Sequence, residues 1–124
     1  MNSFSNSKYP LEERTALFGE AIIKFCKNLP KDHMTSQPAL QLLRSGTSVG
    51  ANYMEANNAS SKKDFTNKIF ICKKEAQETK YWLRMIKTMH PQFTEEILKL
   101  NQEAQELTLI FQKITTTARS NQLK

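Results

Sequence analysis

Residues 42–82 read LLRSGTSVGANYMEANNASSKKDFTNKIFICKKEAQETKYW. Two helical stretches are joined here by a short polar break, and their relation decides the fold. Gly46 and Gly50 lie one turn apart, on a face shared with Leu42, Val49, Tyr53 and Ala56. A glycine inside a helix costs about 1 kcal/mol relative to alanine. Close packing recovers that cost, because two residues without a Cβ leave a flat spot where another helix can approach. The opposite side of the helix carries Arg44, Ser48, Asn52 and Glu55, which fall within roughly 80° at about 100° per residue. This stripe is either a solvated face or a partly buried network with partners on the next helix or on another copy of the chain. Reversal of the chain at Asn57–Ser61 would bring Arg44 to Glu75 and Glu78, and Glu55 to Lys62, Lys63 and Lys68. Opposite charges would then meet along an antiparallel hairpin.

The runs RSGTSVGANYMEA (44–56) and SKKDFTNKIFICKKEAQETKYWL (61–83) resemble the bacterial four helix bundle protein family. That family includes proteins encoded in intervening sequences of large-subunit rRNA genes; the accessory variability protein of diversity-generating retroelements is a more distant relative. The resemblance spans about residues 11–114 and is strongest over 44–83. It implies an up-down-up-down bundle that assembles as a homo-oligomer, a pentameric ring. For the retroelement branch it also implies nucleic-acid binding through basic surfaces and association with a reverse transcriptase. Many relatives have Glu-Gly where this chain has Glu55-Ala56, a departure that marks a sub-branch.

The rest of the chain supports four amphipathic helices. With 124 residues it is long enough for one domain with a real core. Its four prolines (Pro10, Pro30, Pro38, Pro91) fall between the periodic stretches. Residues 1–10 and 119–124 are expected as flexible tails around a bundle domain at 11–118. The first helix is expected from Leu11 to Leu29, with Glu12 and Glu13 suited to its positive end. The second is expected to open at Pro38, and the third at Ser61, with Asp64 completing a capping box. Thr94 is expected to cap the fourth, whose Ile97, Leu100, Ala104, Leu107, Phe111, Ile114 and Ala118 form a seam of the coiled-coil type. Four such helices with short connections specify an all-α, antiparallel up-down-up-down four-helix bundle.

The third helix carries more apolar surface than its inner seam (Phe65, Ile69, Cys72, Ala76, Thr79, Leu83, Ile86) requires. Phe70, Ile71, Tyr81, Trp82 and Met85 lie roughly opposite. A lone copy would expose them, so self-association is expected through these residues, the other reading being that the rings cover neighbouring loops.

Most site chemistry is excluded. Gly46-Thr47-Ser48-Val49-Gly50 matches the pattern of a nucleophile elbow, but that chemistry needs a strained strand-to-helix turn that this chain does not offer. The chain has no Glu-x-x-His pair of the kind di-metal bundles use. Neither a cofactor nor a metal site is expected, and no catalytic residue is assigned. Cys26 and Cys72 read as reduced, buried thiols, and His33 and His90 as surface residues. No run reaches the length of a membrane span and the N-terminus has no signal core, so a cytoplasmic protein is expected.

Charge is the remaining signal. The net charge is +6. Between Lys62 and Lys87, eight basic residues face Asp64, Glu75 and Glu78, a net of +5. Lys73, Lys80, Arg84 and Lys87 form one stripe with Lys62 on its line. Such a stripe would hold phosphate backbone without reading bases. Alternatively, these cations are a solvated surface paired with Glu103 and Glu106. The sequence therefore points to a non-enzymatic, homo-oligomeric bundle binding RNA or DNA non-specifically, in an accessory role to a nucleic-acid enzyme. The alternative is a protein–protein interaction scaffold with no nucleic-acid role.

Overall fold

The computed structural model describes residues 9–122; residues 1–8 and 123–124 of the expected tails lie outside the described residues. Four α-helices follow one another: α1 Leu11–Lys27, α2 His33–Asn57, α3 Lys62–Met89 and α4 Thr94–Gln122, with a 3-10 turn at Pro91–Phe93 before the last. Side-chain pairs fix their relative directions. Gly46 and Gly50 of α2 lie against Ile22 and Thr15 of α1, Arg44 and Glu55 of α2 against Glu75 and Lys68 of α3, and Lys73 and Lys80 of α3 against Gln112 and Gln105 of α4. In each case the numbers rise on one helix as they fall on the next, so neighbours are antiparallel and the all-α four-helix bundle stands.

The glycine pair does what its spacing implies, and the approaching helix is α1. A Cβ on Gly46 would sit 2.8 Å from both Cγ1 and Cγ2 of Ile22, and one on Gly50 would sit 3.3 Å from the Thr15 carbonyl oxygen. Inside, Phe18, Ile22, Leu42, Val49, Ile69, Leu83, Ile86, Leu107 and Phe111 are fully buried. All seven seam positions of α3 and of α4 face inward, with Phe65, Ile114 and Ala118 half-buried towards the ends. Ser45 and Thr79 join α2 to α3 within this core through a 3.0 Å hydroxyl hydrogen bond.

Helix boundaries differ from expectation in four places. The first helix ends at Lys27 with Asn28 as its C-cap, two residues short of Leu29. Asp32 caps α2 by accepting from the Thr35 amide at 2.8 Å, so the helix starts five residues before Pro38. Pro38 is then buried in the helix interior, where its missing N–H forfeits one backbone bond. Thr94 is not the cap: its dihedrals are helical (φ −52°, ψ −43°), and its hydroxyl donates to the Pro91 carbonyl at 2.6 Å. The 3-10 turn therefore runs straight into α4. At its far end α4 continues to Gln122, past the expected limit at Ala118. The Ser61 cap holds as expected, accepting from the Asp64 amide at 3.0 Å, while the Asp64 carboxylate accepts from the Ser60 amide.

Candidate nucleic-acid interface

The polar stripe of α2 divides into two parts. Arg44 forks onto Glu75 through two N–H groups at 3.0 and 3.2 Å and reaches Glu78 at 2.5 Å. Glu55 accepts from Lys68 at 2.8 Å, whereas Lys62 and Lys63 are not paired with it. Ser48 and Asn52 take no part in this network and bond to carbonyls of their own helix, those of Arg44 and Ser48. The Glu78 carboxyl is held below the ordinary glutamate range: burial raises it, but the Trp82 indole and the Arg44 guanidinium outweigh burial. Because Arg44 is 44 % exposed, this network orients α2 on α3 more than it stabilises them.

The basic stripe of α3 presents a different picture. Lys62 and Arg84 are exposed, and Lys73, Lys80 and Lys87 are half-exposed. Lys73 donates to the Gln112 side-chain oxygen and Lys80 to that of Gln105. These neutral partners tie the two ammonium groups to α4 without supplying a counter-charge. Among the described residues, no ion pair joins any of the five cations to a carboxylate.

Among the described residues, none of these five cations pairs with Glu103 or Glu106; Arg14 of α1 engages both carboxylates instead. Arg14 donates to both oxygens of Glu103 at 2.8 and 2.7 Å and to Glu106 at 2.8 Å. The Arg14 and Glu103 side chains are 6 % and 0 % exposed. Burial lifts the Glu103 carboxyl above the ordinary range, and Arg14 opposes the rise. This clamp between α1 and α4 was missed in the sequence, although a signal exists. Arg14 falls in phase with Leu11, Phe18 and Phe25, and Glu103 with Leu100 and Leu107, so two opposite charges occupy inner-seam positions.

The apolar residues expected to join copies are largely covered within one chain. Trp82 packs on the core and donates its indole N–H to Glu78 at 3.0 Å. Phe70 lies under the Arg119 guanidinium, 4.4 Å from its ring centroid. Ile71 and Met85 are half-buried, and only Tyr81, at 53 %, stands well out. A larger uncovered strip lies elsewhere, on the outer seam of α1 and α2. There Ile23 and Met54 flank a groove of about 580 Å³ floored by Gly19, Thr47 and Gly50, and Leu40 and Leu43 line a second of about 480 Å³. Leu40 is 62 % and Met54 58 % exposed.

Ser48 sits mid-helix, far from the geometry of a nucleophile elbow. Cys26 and Cys72 are free thiols; Cys72 is buried as expected whereas Cys26 is only half-buried at the core's edge, and desolvation pushes them up to about 11 and about 12. His33 is exposed, but His90 is not merely a surface residue: its Nε2 shares a 2.7 Å hydrogen bond with the Thr35 hydroxyl and its ring meets Phe93 edge-on. Among the described residues, no group of three or more His, Cys, Asp or Glu is placed to hold a metal ion, and no helix is long and apolar enough to cross a membrane.

The family model described as 23S rRNA-intervening sequence protein matches residues 11–113. The chain is also similar to a protein of unknown function from the S23 ribosomal protein family of Bacteroides thetaiotaomicron, whose crystal structure superposes with a TM-score of 0.78 at 33 % identity, covering 86 % of this chain and 98 % of that one. No curated protein matches the chain.

Proposed function

The chain belongs to the 23S rRNA-intervening sequence protein family, and from that premise we propose that it is a non-enzymatic, self-associating bundle that binds RNA or DNA through α3. It works in the cytoplasm as an accessory to a nucleic-acid enzyme. The observation that carries this reading is the row Lys62, Lys73, Lys80, Arg84 and Lys87, whose charge no carboxylate of the described residues neutralises. The amide partners Gln105 and Gln112 hold two of these cations in place without cancelling them. Such a row meets phosphates as point charges and carries no base-reading geometry, so binding is sequence-independent and falls with salt. Copies repeated around an oligomer would multiply the row.

Self-association draws its support from the exposed α1–α2 strip, where Ile23, Leu40 and Met54 remain uncovered, rather than from the largely covered α3 residues. The same strip favours the second reading, an interaction scaffold without a nucleic-acid role. Gel mobility shifts with a labelled RNA at low and moderate salt separate the two. The proposal expects a shift at low salt that weakens at higher salt and is lost in the Lys73/Lys80/Arg84/Lys87→Glu variant. Absence of a shift at low salt, or one that survives charge reversal, supports the scaffold.

A further inference from the structure

The uncompensated charge of α3 is accompanied by one aromatic ring that the fold holds outward. Tyr81 is 53 % exposed, yet it is not a loosely tethered side chain. Its ring meets Trp82 edge-on, with centroids 4.9 Å apart and planes at 81°. Trp82 is fixed in turn, since its indole N–H donates to Glu78, which Arg44 of α2 grips from the other side. Three linked contacts therefore orient a ring that contributes little to the core. This arrangement resembles a presented surface more than a packing element.

The surroundings of Tyr81 are cationic. At about 100° per residue, Lys74 and Arg84 lie within roughly 60° of Tyr81 on the helix surface, and both are exposed. The carboxylate on this face, Glu78, is already engaged by Arg44 and Trp82. Eleven residues earlier, about 16 Å along the axis, Phe70 lies on nearly the same line, with the Arg119 guanidinium over its ring. Rings and cations thus alternate along one face.

We propose that this face is a track for single-stranded nucleic acid, in which an unpaired base stacks on Tyr81 while Lys74 and Arg84 hold the adjoining phosphates. The inference rests on the nucleic-acid reading above and specifies its substrate. A duplex keeps its base faces inside the stack, where an aromatic ring on a helix surface cannot reach them; an unpaired strand offers a π-face at every nucleotide. Cations alone serve a duplex, so an oriented, half-exposed tyrosine among them discriminates between the two.

The test uses the full-length protein and three labelled probes with equal numbers of phosphates: oligo(U), oligo(dT) and an RNA hairpin duplex. Fluorescence anisotropy would be read at low salt for the wild type, Tyr81→Ala, Tyr81→Gln, Tyr81→Phe and Arg84→Gln, with circular dichroism confirming the fold. Loss of the ring is expected to weaken binding to both single strands about tenfold. It should leave the duplex affinity and the salt slope unchanged, while Tyr81→Phe stays within about twofold of wild type. Arg84→Gln should weaken all three probes and flatten the slope. If the alanine and glutamine variants bind single strands as the wild type does, or lose affinity equally for the duplex, the stacking role is overturned while the phosphate reading stands. If their native mass falls, Tyr81 belongs to a contact between copies and the track is overturned. Failure of the wild type to bind any probe removes both readings together.

Discussion

Replacing Arg14 with methionine tests the buried clamp between α1 and α4. The substitution keeps side-chain length and packing but leaves Glu103, whose side chain is 0 % exposed, without the two hydrogen bonds it accepts at 2.8 and 2.7 Å. Removing one member of a buried ion pair costs about 3–5 kcal/mol, because the other charge stays desolvated and unpaired. For a domain of this size that corresponds to a fall in Tm of about 10–20 °C. Glu103→Leu should cost less, since Arg14 keeps its 2.8 Å contact to Glu106, which is 39 % exposed and can share solvent. The double variant Arg14→Met/Glu103→Leu should return close to wild type, as apolar pairs often replace buried ion pairs without loss. Acidity supplies an internal check. Burial raises the Glu103 carboxyl in the folded state, so between its unfolded and folded values the folded protein holds the extra proton and stability falls as pH rises. Loss of Arg14 pushes the upper edge of that window higher. The deficit of Arg14→Met should therefore be largest at neutral pH and shrink towards the unfolded glutamate range near about pH 4.3. Urea unfolding at several pH values measures all of this. A loss under about 1 kcal/mol at neutral pH, or a double variant as unstable as Arg14→Met alone, would show that Glu103 does not depend on Arg14 for its burial.

Gly46→Ala places a Cβ 2.8 Å from two Ile22 carbons, so overpacking of about 1–3 kcal/mol should outweigh about 1 kcal/mol of helix propensity and lower the urea midpoint. Gly19→Ala, whose Cβ would meet Thr47 Cα at an ordinary 3.6 Å, should leave the midpoint unchanged or raise it. Because desolvation pushes the thiols up to about 11 and about 12, iodoacetamide should label half-buried Cys26 slowly and buried Cys72 more slowly still at pH 8 until urea unfolds the chain; rapid labelling of Cys72 in the native protein would contradict its burial. Leu40→Glu combined with Met54→Glu should bring the mass seen by light scattering down towards the 14.3 kDa of one chain, and an unchanged mass would remove the α1–α2 strip from the contact between copies.

The fold was largely legible because its strongest signals are local. The Gly46/Gly50 spacing announced a close helix approach, the Ser61/Asp64 pair marked a helix start, and the charges at Arg44, Glu75, Glu78, Glu55 and Lys68 anticipated the α2–α3 register. Boundaries failed where two local rules competed. Pro38 read as a first-turn residue, but the Asp32 carboxylate on the Thr35 amide and the burial of the Pro38 ring carried the helix past it. The candidate site was less legible because its meaning depends on long-range partners. Glu103 and Glu106 looked available to the lysines of α3 until α1 brought in Arg14, 89 and 92 residues away in the chain. Trp82 looked like an outward ring until Glu78 and the core covered it, whereas its neighbour Tyr81 stayed outside. Exposure at that resolution depends on tertiary packing, which helical periodicity alone does not encode.

If α3 carries its charge for a polyanion, salt must compete with that polyanion for the lysine row. Titrating a labelled single-stranded RNA from about 50 to 200 mM salt measures that competition most directly. Log Kd should rise linearly with log salt, with a slope of about 2–4 for three to five phosphates neutralised, and the slope should collapse in the Lys73/Lys80/Arg84/Lys87→Glu variant. A flat line, or no binding at the lowest salt, would contradict a polyanion-binding α3.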